Sequence, residues 1–291
     1  MRKRVLVAVV AVTALAVGVA LALTRGSEET TLTVMSYNVW GGGANEDEPV
    51  DETVAAIEAV DPDIVGLQET RLEGDVCTAK HCPAGGPSVT KELASALGYE
   101  YHYEQTQTNE ALWANAILSR YPIGEPTPND LGVMIDVTEV EAIRFAERTR
   151  GSAIELLNED LAQARDAPAA FVFGDFNEPS GHDWPSRRWS PATSRSRSTG
   201  RPPAPSKTRG FIDTFRAAFP DEVEKPGFTW TPTSKPTVSW DHHDRIDFVL
   251  ARADDLSVRS AAIIGEKAPR ADIVVKPWPS DHRAVAATVE Y

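Results

Sequence analysis

Apolar, β-branched runs alternate with helically spaced segments along most of the chain, and turn formers separate them. A period of two marks a half-buried strand and a period near 3.6 an amphipathic helix, so the pattern converts into elements. Thr31 to Trp40 reads as a strand running into Gly41-Gly42-Gly43. Asp51 to Val60 has helical spacing, with acidic residues at its N-terminal end where the helix dipole favours them. Asp63 to Thr70, entered through Pro62, is a short apolar strand. Val89 to Leu97 is helical and Tyr99 to Gln105 alternates as a strand. Asn115 to Ile123 and Leu131 to Val137 are further strands. Glu139 to Ala164 reads as a long helix with Ile143, Ala146, Ile154, Leu157 and Leu161 on its buried side. Ala169 to Phe173 is an apolar strand delivering Gly174-Asp175-Phe176-Asn177. Strands at Phe228 to Thr231, Ile246 to Ala251, Val258 to Ile264 and Arg283 to Tyr291 complete the chain. The interleaving predicts an α/β class with more strands than a simple parallel fold needs.

Two segments break this pattern. Arg2, Lys3 and Arg4 precede an uncharged apolar run from Val5 to Leu23, with small residues at Ala20 and Ala22. A basic head, an apolar core and a small-residue end describe a secretory signal peptide, and about 20 apolar residues also suffice to span a bilayer. Residues 1–26 are therefore a signal peptide or an N-terminal anchor, residues 27–30 a junction, and residues 31–291 one domain placed outside the cytoplasm. The second segment, Trp184 to Arg209, holds no Val, Ile, Leu, Met, Phe or Tyr, no acidic residue and seven cations. It cannot bury a core face and reads as a basic flexible loop. It is a solvated loop, a recruiter of polyanions, or the trace of a compensated frameshift.

Composition changes the picture only in part. A formal net charge of −14 removes the broad basic footprint of a nucleic-acid binder. Cys77 and Cys82 are the only cysteines. In an oxidising compartment a short-loop disulfide between them is the natural reading, against a metal site that would also use His81 but lacks a fourth ligand.

Five segments end strands with a carboxylate, amide or imidazole: Ser36-Tyr37-Asn38, Gln68-Glu69-Thr70, Gly174-Asp175-Phe176-Asn177, Arg245-Ile246-Asp247 and Ser280-Asp281-His282. Phosphoryl transfer to water needs a hard cation on oxygen ligands, an activated water and donors for the charged transition state. Glu69 and Asp281 suit Mg²⁺, and Asp175 can orient or deprotonate water. Asn38 and Asn177 can bond phosphate oxygens without adding negative charge. His282 can donate to the phosphate, with Asp247 holding its tautomer.

Together the motifs Ser-Tyr-Asn38-Val-Trp, Leu-Gln-Glu69-Thr, Asn115-Ala-Ile-Leu-Ser-Arg-Tyr-Pro-Ile123, Phe-Gly-Asp175-Phe-Asn177, Asp244-Arg-Ile-Asp247-Phe and Pro-Ser-Asp281-His282 resemble the endonuclease/exonuclease/phosphatase superfamily across Thr31 to Tyr291. The resemblance implies a four-layer sandwich, two packed mixed β-sheets flanked by helices, with one site at the strand ends. It also implies Mg²⁺ or Mn²⁺ on Glu69 with Asn38 and Asp281 close by, water activation by Asp175, phosphate binding by Asn177, and His282 supported by Asp247. The chain departs from the deoxyribonuclease and sphingomyelinase branches after Ile123. There those branches carry further strands and a second catalytic histidine, whereas no histidine lies between Tyr103 and Gly181 here. One sheet is expected to be incomplete. The functional expectation is an exported, monomeric, metal-dependent phosphodiesterase or phosphatase acting on a small molecule, lipid headgroup or nucleic acid. The alternatives are a non-catalytic remnant that binds metal or phosphate, and a phospholipid-recognising protein attached to the membrane through residues 5–23.

Overall fold

The computed structural model describes residues 6–12, 16–22, 30–46, 48–72, 88–105, 113–124, 161–162, 164–177, 179–180, 183, 210–233 and 243–291. The cysteines Cys77 and Cys82, the basic segment 184–209, the expected strand Leu131 to Val137 and most of the expected helix Glu139 to Ala164 lie outside these residues.

Twelve strands build two sheets among the described residues. The larger sheet joins β3 (Thr31–Asn38), β4 (Ile64–Arg71), β5 (Glu100–Gln105), β6 (Trp113–Ser119), β10 (Ser257–Gly265), β11 (Ile273–Val274) and β12 (Ala284–Glu290) in the order β11-β10-β12-β3-β4-β6-β5. The smaller joins β1 (Leu6–Val12), β2 (Ala16–Ala22), β7 (Ala169–Asp175), β8 (Ile212–Asp213) and β9 (Asp247–Ala253) in the order β1-β2-β7-β9-β8. β3 and β4 are parallel, while every pair in the smaller sheet is antiparallel. Helices α1 (Val50–Glu58), α2 (Val89–Leu97) and the short α3 (Thr214–Ala218) accompany them.

Period-two alternation sorts the side chains. On β3, Leu32 and Val34 join Phe171, Phe173, Val249, Ile263 and Val285 in the core between the sheets. Met35 and Tyr37 point the other way and pack with Ile57 of α1 and Leu93 of α2, which covers the outer face of the larger sheet. On the far side, Leu161 and Ala162 are helical, in agreement with the end of the expected long helix, and Ala164 packs on Ala170 of β7. Two packed mixed sheets with helices against their outer surfaces are what the motifs implied, and among the described residues α1 and α2 cover the larger sheet. α2 ends where Gly98 adopts φ 70°, a left-handed conformation that glycine takes without a Cβ penalty.

Three differences from the sequence pattern have physical causes. Within the apolar run at the N-terminus, residues 6–12 and 16–22 pair as the antiparallel strands β1 and β2, and β2 pairs with β7 from Val17↔Phe173 to Leu21↔Ala169. Phe228 to Thr231 is extended but no strand: Trp230 makes only isolated bridges, to Asp244 and to His282. Its neighbours split their backbone bonds, Thr229 N donating to Asp244 O and Thr229 O accepting from Arg283 N, so no continuous ladder forms. Asn115 to Ile123 ends as a strand at Ser119, where the Ser119 hydroxyl accepts from Tyr121 N and turns the chain. No described helix is long and apolar enough to cross a membrane.

Candidate active site

The face that lies between the sheets changes from apolar to polar at one end of each central strand. On β3 the alternation Leu32, Val34 continues into Ser36 and Asn38; on β7 the alternation Phe171, Phe173 continues into Asp175; on β9 Asp247 precedes Val249 and Ala251. Asp175 and Asp247 are register partners, so the β7–β9 ladder sets two carboxylates side by side. Parallel pairing of β3 with β4 brings Asn38 next to Gln68, with Glu69 following. Asn38 and Asp247 are 0% exposed, Asp175 1% and His282 5%.

Glu69 has φ 56° and Asn177 φ 49°, left-handed values that non-glycine residues rarely adopt. Glu69 sits at the register shift between Leu67 and Thr70 in the β4–β6 ladder, and such a bulge re-aims a side chain. Strain of this kind concentrates at functional positions because the surrounding structure has to enforce it.

The contacts knit the residues together. Asn38 Nδ2 donates to Glu69 Oε1 at 3.1 Å and to Asp175 Oδ2 at 3.2 Å. Asp175 Oδ1 accepts from Asn177 N at 2.7 Å, and its Oδ2 from Asn177 Nδ2 at 3.2 Å. His282 Nδ1 lies 3.0 Å from Asp247 Oδ2, and its Nε2 3.8 Å from Asp175 Oδ2. Two hydroxyls that sequence reasoning assigned no role hold the frame. Ser280 Oγ donates to Asn38 O at 2.7 Å and accepts from His282 N at 3.1 Å. Thr229 Oγ1 accepts from both Ile246 N and Asp247 N, at 3.0 and 3.1 Å. Ser280 was visible only as a member of its motif, and no sequence signal marked Thr229.

Burial shapes the charges. It pushes the Asp175 carboxyl well above its ordinary value, and the neighbouring Asp247 adds to the rise. Burial, with the nearby Glu69 adding, raises Asp281 to about 6 even against the His282 cation. For His282 burial works against the cation, but Asp247 and then Asp175 outweigh it and hold its pKa well above the ordinary imidazole value.

Two groupings offer metal-ligating atoms. Asp175, Asp247 and His282 place one ligand atom each within 4.8 Å of one another. His282, however, already turns Nδ1 to Asp247, and the neighbouring carboxylates favour its protonated form, which competes with a metal for the imidazole. Glu69 and Asp281 suit a hard cation better. Asp281 Oδ1 is buried without a hydrogen-bond partner, and its carboxylate feels the repulsion of Glu69, two costs that a divalent ion on these oxygens removes. All seven residues read from the motifs (Asn38, Glu69, Asp175, Asn177, Asp247, Asp281 and His282) thus meet at one end of the two sheets.

Comparison with known proteins agrees with this fold. The chain is 28% identical to the uncharacterized protein F14F9.5 of Caenorhabditis elegans, over 91% of this chain and 93% of that one. That match runs over 309 positions, more than the 291 residues present here, so the relative carries residues this chain lacks. An endonuclease/exonuclease/phosphatase family protein from Leptotrichia buccalis has a similar fold, with a TM-score of 0.54 at 14% identity, covering 89% of this chain and all of that one. The AP endonuclease LMAP of Leishmania major superposes with a TM-score of 0.50 at 13% identity, covering 90% of this chain and 88% of the other. The model of the Endonuclease/Exonuclease/phosphatase family matches residues 35–282, a span that contains every motif residue of the site, and the chain belongs to that family of hydrolases.

Proposed function

We propose that the chain is an exported, divalent-metal-dependent phosphoester hydrolase of the phosphodiesterase or phosphatase type, acting as a monomer. The observation that carries this reading is the placement of His282 between Asp247 and Asp175, in contact with the first and near the second. Mg²⁺ or Mn²⁺ on Glu69 and Asp281, with Asn38 alongside, would supply charge neutralisation at the phosphate. The chain's own residues supply the rest. Asp175, its proton affinity raised by burial, accepts a proton from the attacking water. Asn177 directs its amide toward a phosphate oxygen as charge develops there. His282, kept protonated by Asp247, donates to the phosphate or to the departing oxygen. The acidic balance disfavours long nucleic acids and the cations of residues 184–209 favour some polyanion, so a small molecule, a lipid headgroup and a short nucleic acid all remain in the substrate class. The basic, apolar head of the chain supports export or anchoring through residues 5–23.

Hydrolysis of bis(p-nitrophenyl) phosphate by the full chain, with Mg²⁺ and with EDTA, tests the reading. Turnover should need the metal, and Asp175→Ala or His282→Ala should lower kcat by roughly 10² to 10⁴. A second reading is a non-catalytic remnant of the same fold that still binds cation or phosphate. It is supported by the lack of any histidine between Tyr103 and Gly181. Cation binding by a cooperatively folding chain with no turnover would select it.

A further inference from the structure

Asp183 follows Asn177 by six residues and lies far from it in chemistry: it is one of four buried or nearly buried charges packed together behind the site. Arg245, two residues before Asp247, is the centre of the group and is 2% exposed. Its Nε donates to Asp183 Oδ2 at 2.9 Å, and Nη1 and Nη2 fork onto Asp213 at 3.1 and 2.6 Å. Asp213 in turn caps α3, accepting from Phe215 N and Arg216 N. Arg216 closes the ring, its Nε donating to Asp183 Oδ1 at 2.5 Å and its remaining nitrogens to the carbonyls of Phe219, Lys225 and Pro226. The guanidinium of Arg245 also lies over the Phe248 ring at 4.4 Å, and Phe248 meets Phe176 edge-on at 5.3 Å.

Two cations and two carboxylates cancel, so the group has no spare charge for a ligand. Its effect is geometric. Phe176 N donates to Ile246 O at 2.8 Å and fixes the chain just before Asn177 to the approach of β9. Asp183 fixes the chain again, to Arg245 on that same approach. Asn177, in its left-handed conformation, is held between two anchors that both belong to the stretch carrying Asp247. Arginine suits this use because its planar fork sets direction as well as charge. A buried ion pair adds little net stability over an apolar replacement, so specificity of geometry is the better account of its presence.

Building on the hydrolase reading, we infer that the Asp183–Arg245–Asp213–Arg216 cluster is a positioning latch, with Asp183 and Arg245 holding Asn177 against Asp175 in register with Asp247. Neither Asp183 nor Arg245 touches the reacting atoms; both act through Asn177.

The test is a double-mutant cycle on the full chain, with bis(p-nitrophenyl) phosphate and Mg²⁺. Asp183→Asn should lower kcat about tenfold or more with KM changed less than about twofold, and Asp183→Glu should recover part of the loss. In the Asn177→Ala background Asp183→Asn should cost less than about twofold more, because coupled residues are not additive. An equal loss in both backgrounds overturns the latch. Should Asp183→Asn not fold, Arg216→Lys, which keeps the charge and removes the planar contact to Asp183, carries the same comparison. A second arm needs no turnover: hydrogen exchange at Asn177 N, protected by Asp175 Oδ1, should quicken about tenfold or more in the metal-free variant while Ala284–Glu290 exchanges as before. Unchanged exchange at Asn177 overturns the latch. A wild-type chain without turnover would sink the hydrolase reading instead, and the exchange arm would still decide the latch.

Discussion

Arg283 carries a guanidinium that is 1% exposed, a burial that costs several kcal/mol unless the charge is paired. Glu266 provides the pair: Arg283 Nε and Nη2 donate to its two oxygens at 2.7 and 2.6 Å, while Nη1 donates to Phe228 O at 3.0 Å. Burial alone would raise the Glu266 carboxyl, but the hydrogen bonds and charge of Arg283 outweigh it and hold the folded value below the ordinary 4.5. The sign follows by linkage. A carboxyl depressed on folding contributes stability above its unfolded value, and that contribution is lost as pH falls through the folded value. The wild-type chain is therefore expected to lose urea resistance as the pH drops below 4.5. Glu266→Gln should be weaker at neutral pH and should lose less on the same descent. Parallel acid limbs for the two proteins in urea titrations would show that this pair does not carry the effect. His282 is the mirror case: burial disfavours its cation, but Asp247 and then Asp175 outweigh it and raise its pKa.

At the scale of elements, the close approach of the two sheets is set by small residues at the crossing. A Cβ on Gly66 of β4 would stand 2.0 Å from the Phe173 ring of β7, so the ring occupies the room that glycine leaves. Gly66→Ala is expected to cost about 1–3 kcal/mol or more by overpacking, read as a lowered urea midpoint. Gly66→Ala combined with Phe173→Leu should cost less than the sum of the two changes; additivity would place the strain elsewhere. Much of the element level was legible from periodicity, since Val89–Leu97 is helical as expected and β4, β9, β10 and β12 fall within two residues of their expected bounds. Ala169–Phe173 extends to Asp175 because pairing with β9 carries two residues of low strand propensity into the ladder. Ile212–Asp213, Ile273–Val274 and Thr214–Ala218 are too short for any period to show. For the site, residue types at strand ends were readable because the motifs are local. The Thr229 hydroxyl on Asp247 N and the Arg245 Nε bond to Asp183 were not, since their partners lie 18 and 62 residues away and neither residue type announces a fold contact.

For the whole molecule, the decisive question is what closes the smaller sheet beside β7. In the structure residues 16–22 do so, through five register pairs along the strand that ends in Asp175. The same residues belong to the apolar run that reads as an export or anchoring segment, and a segment removed or held in a bilayer cannot also be a sheet strand. Among the described residues, the sheet without β1 and β2 retains three strands, β7, β9 and β8, with the strand that carries Asp175 at its edge. An open edge presents unpaired N–H and C=O groups and pairs readily with another chain. The chain that begins at residue 27 is thus expected to melt roughly 10 °C below the full chain, as loss of a few kcal/mol would produce at this size. It is also expected to self-associate as concentration rises. Calorimetry and sedimentation of the two chains decide the point. Equal melting with a monomer at every concentration would mean that the β7 edge needs no strand and that the run is free for export. A large difference would tie the integrity of Asp175 to the first residues of the chain, and the mass of the mature protein would then tell whether residues 1–26 remain on it.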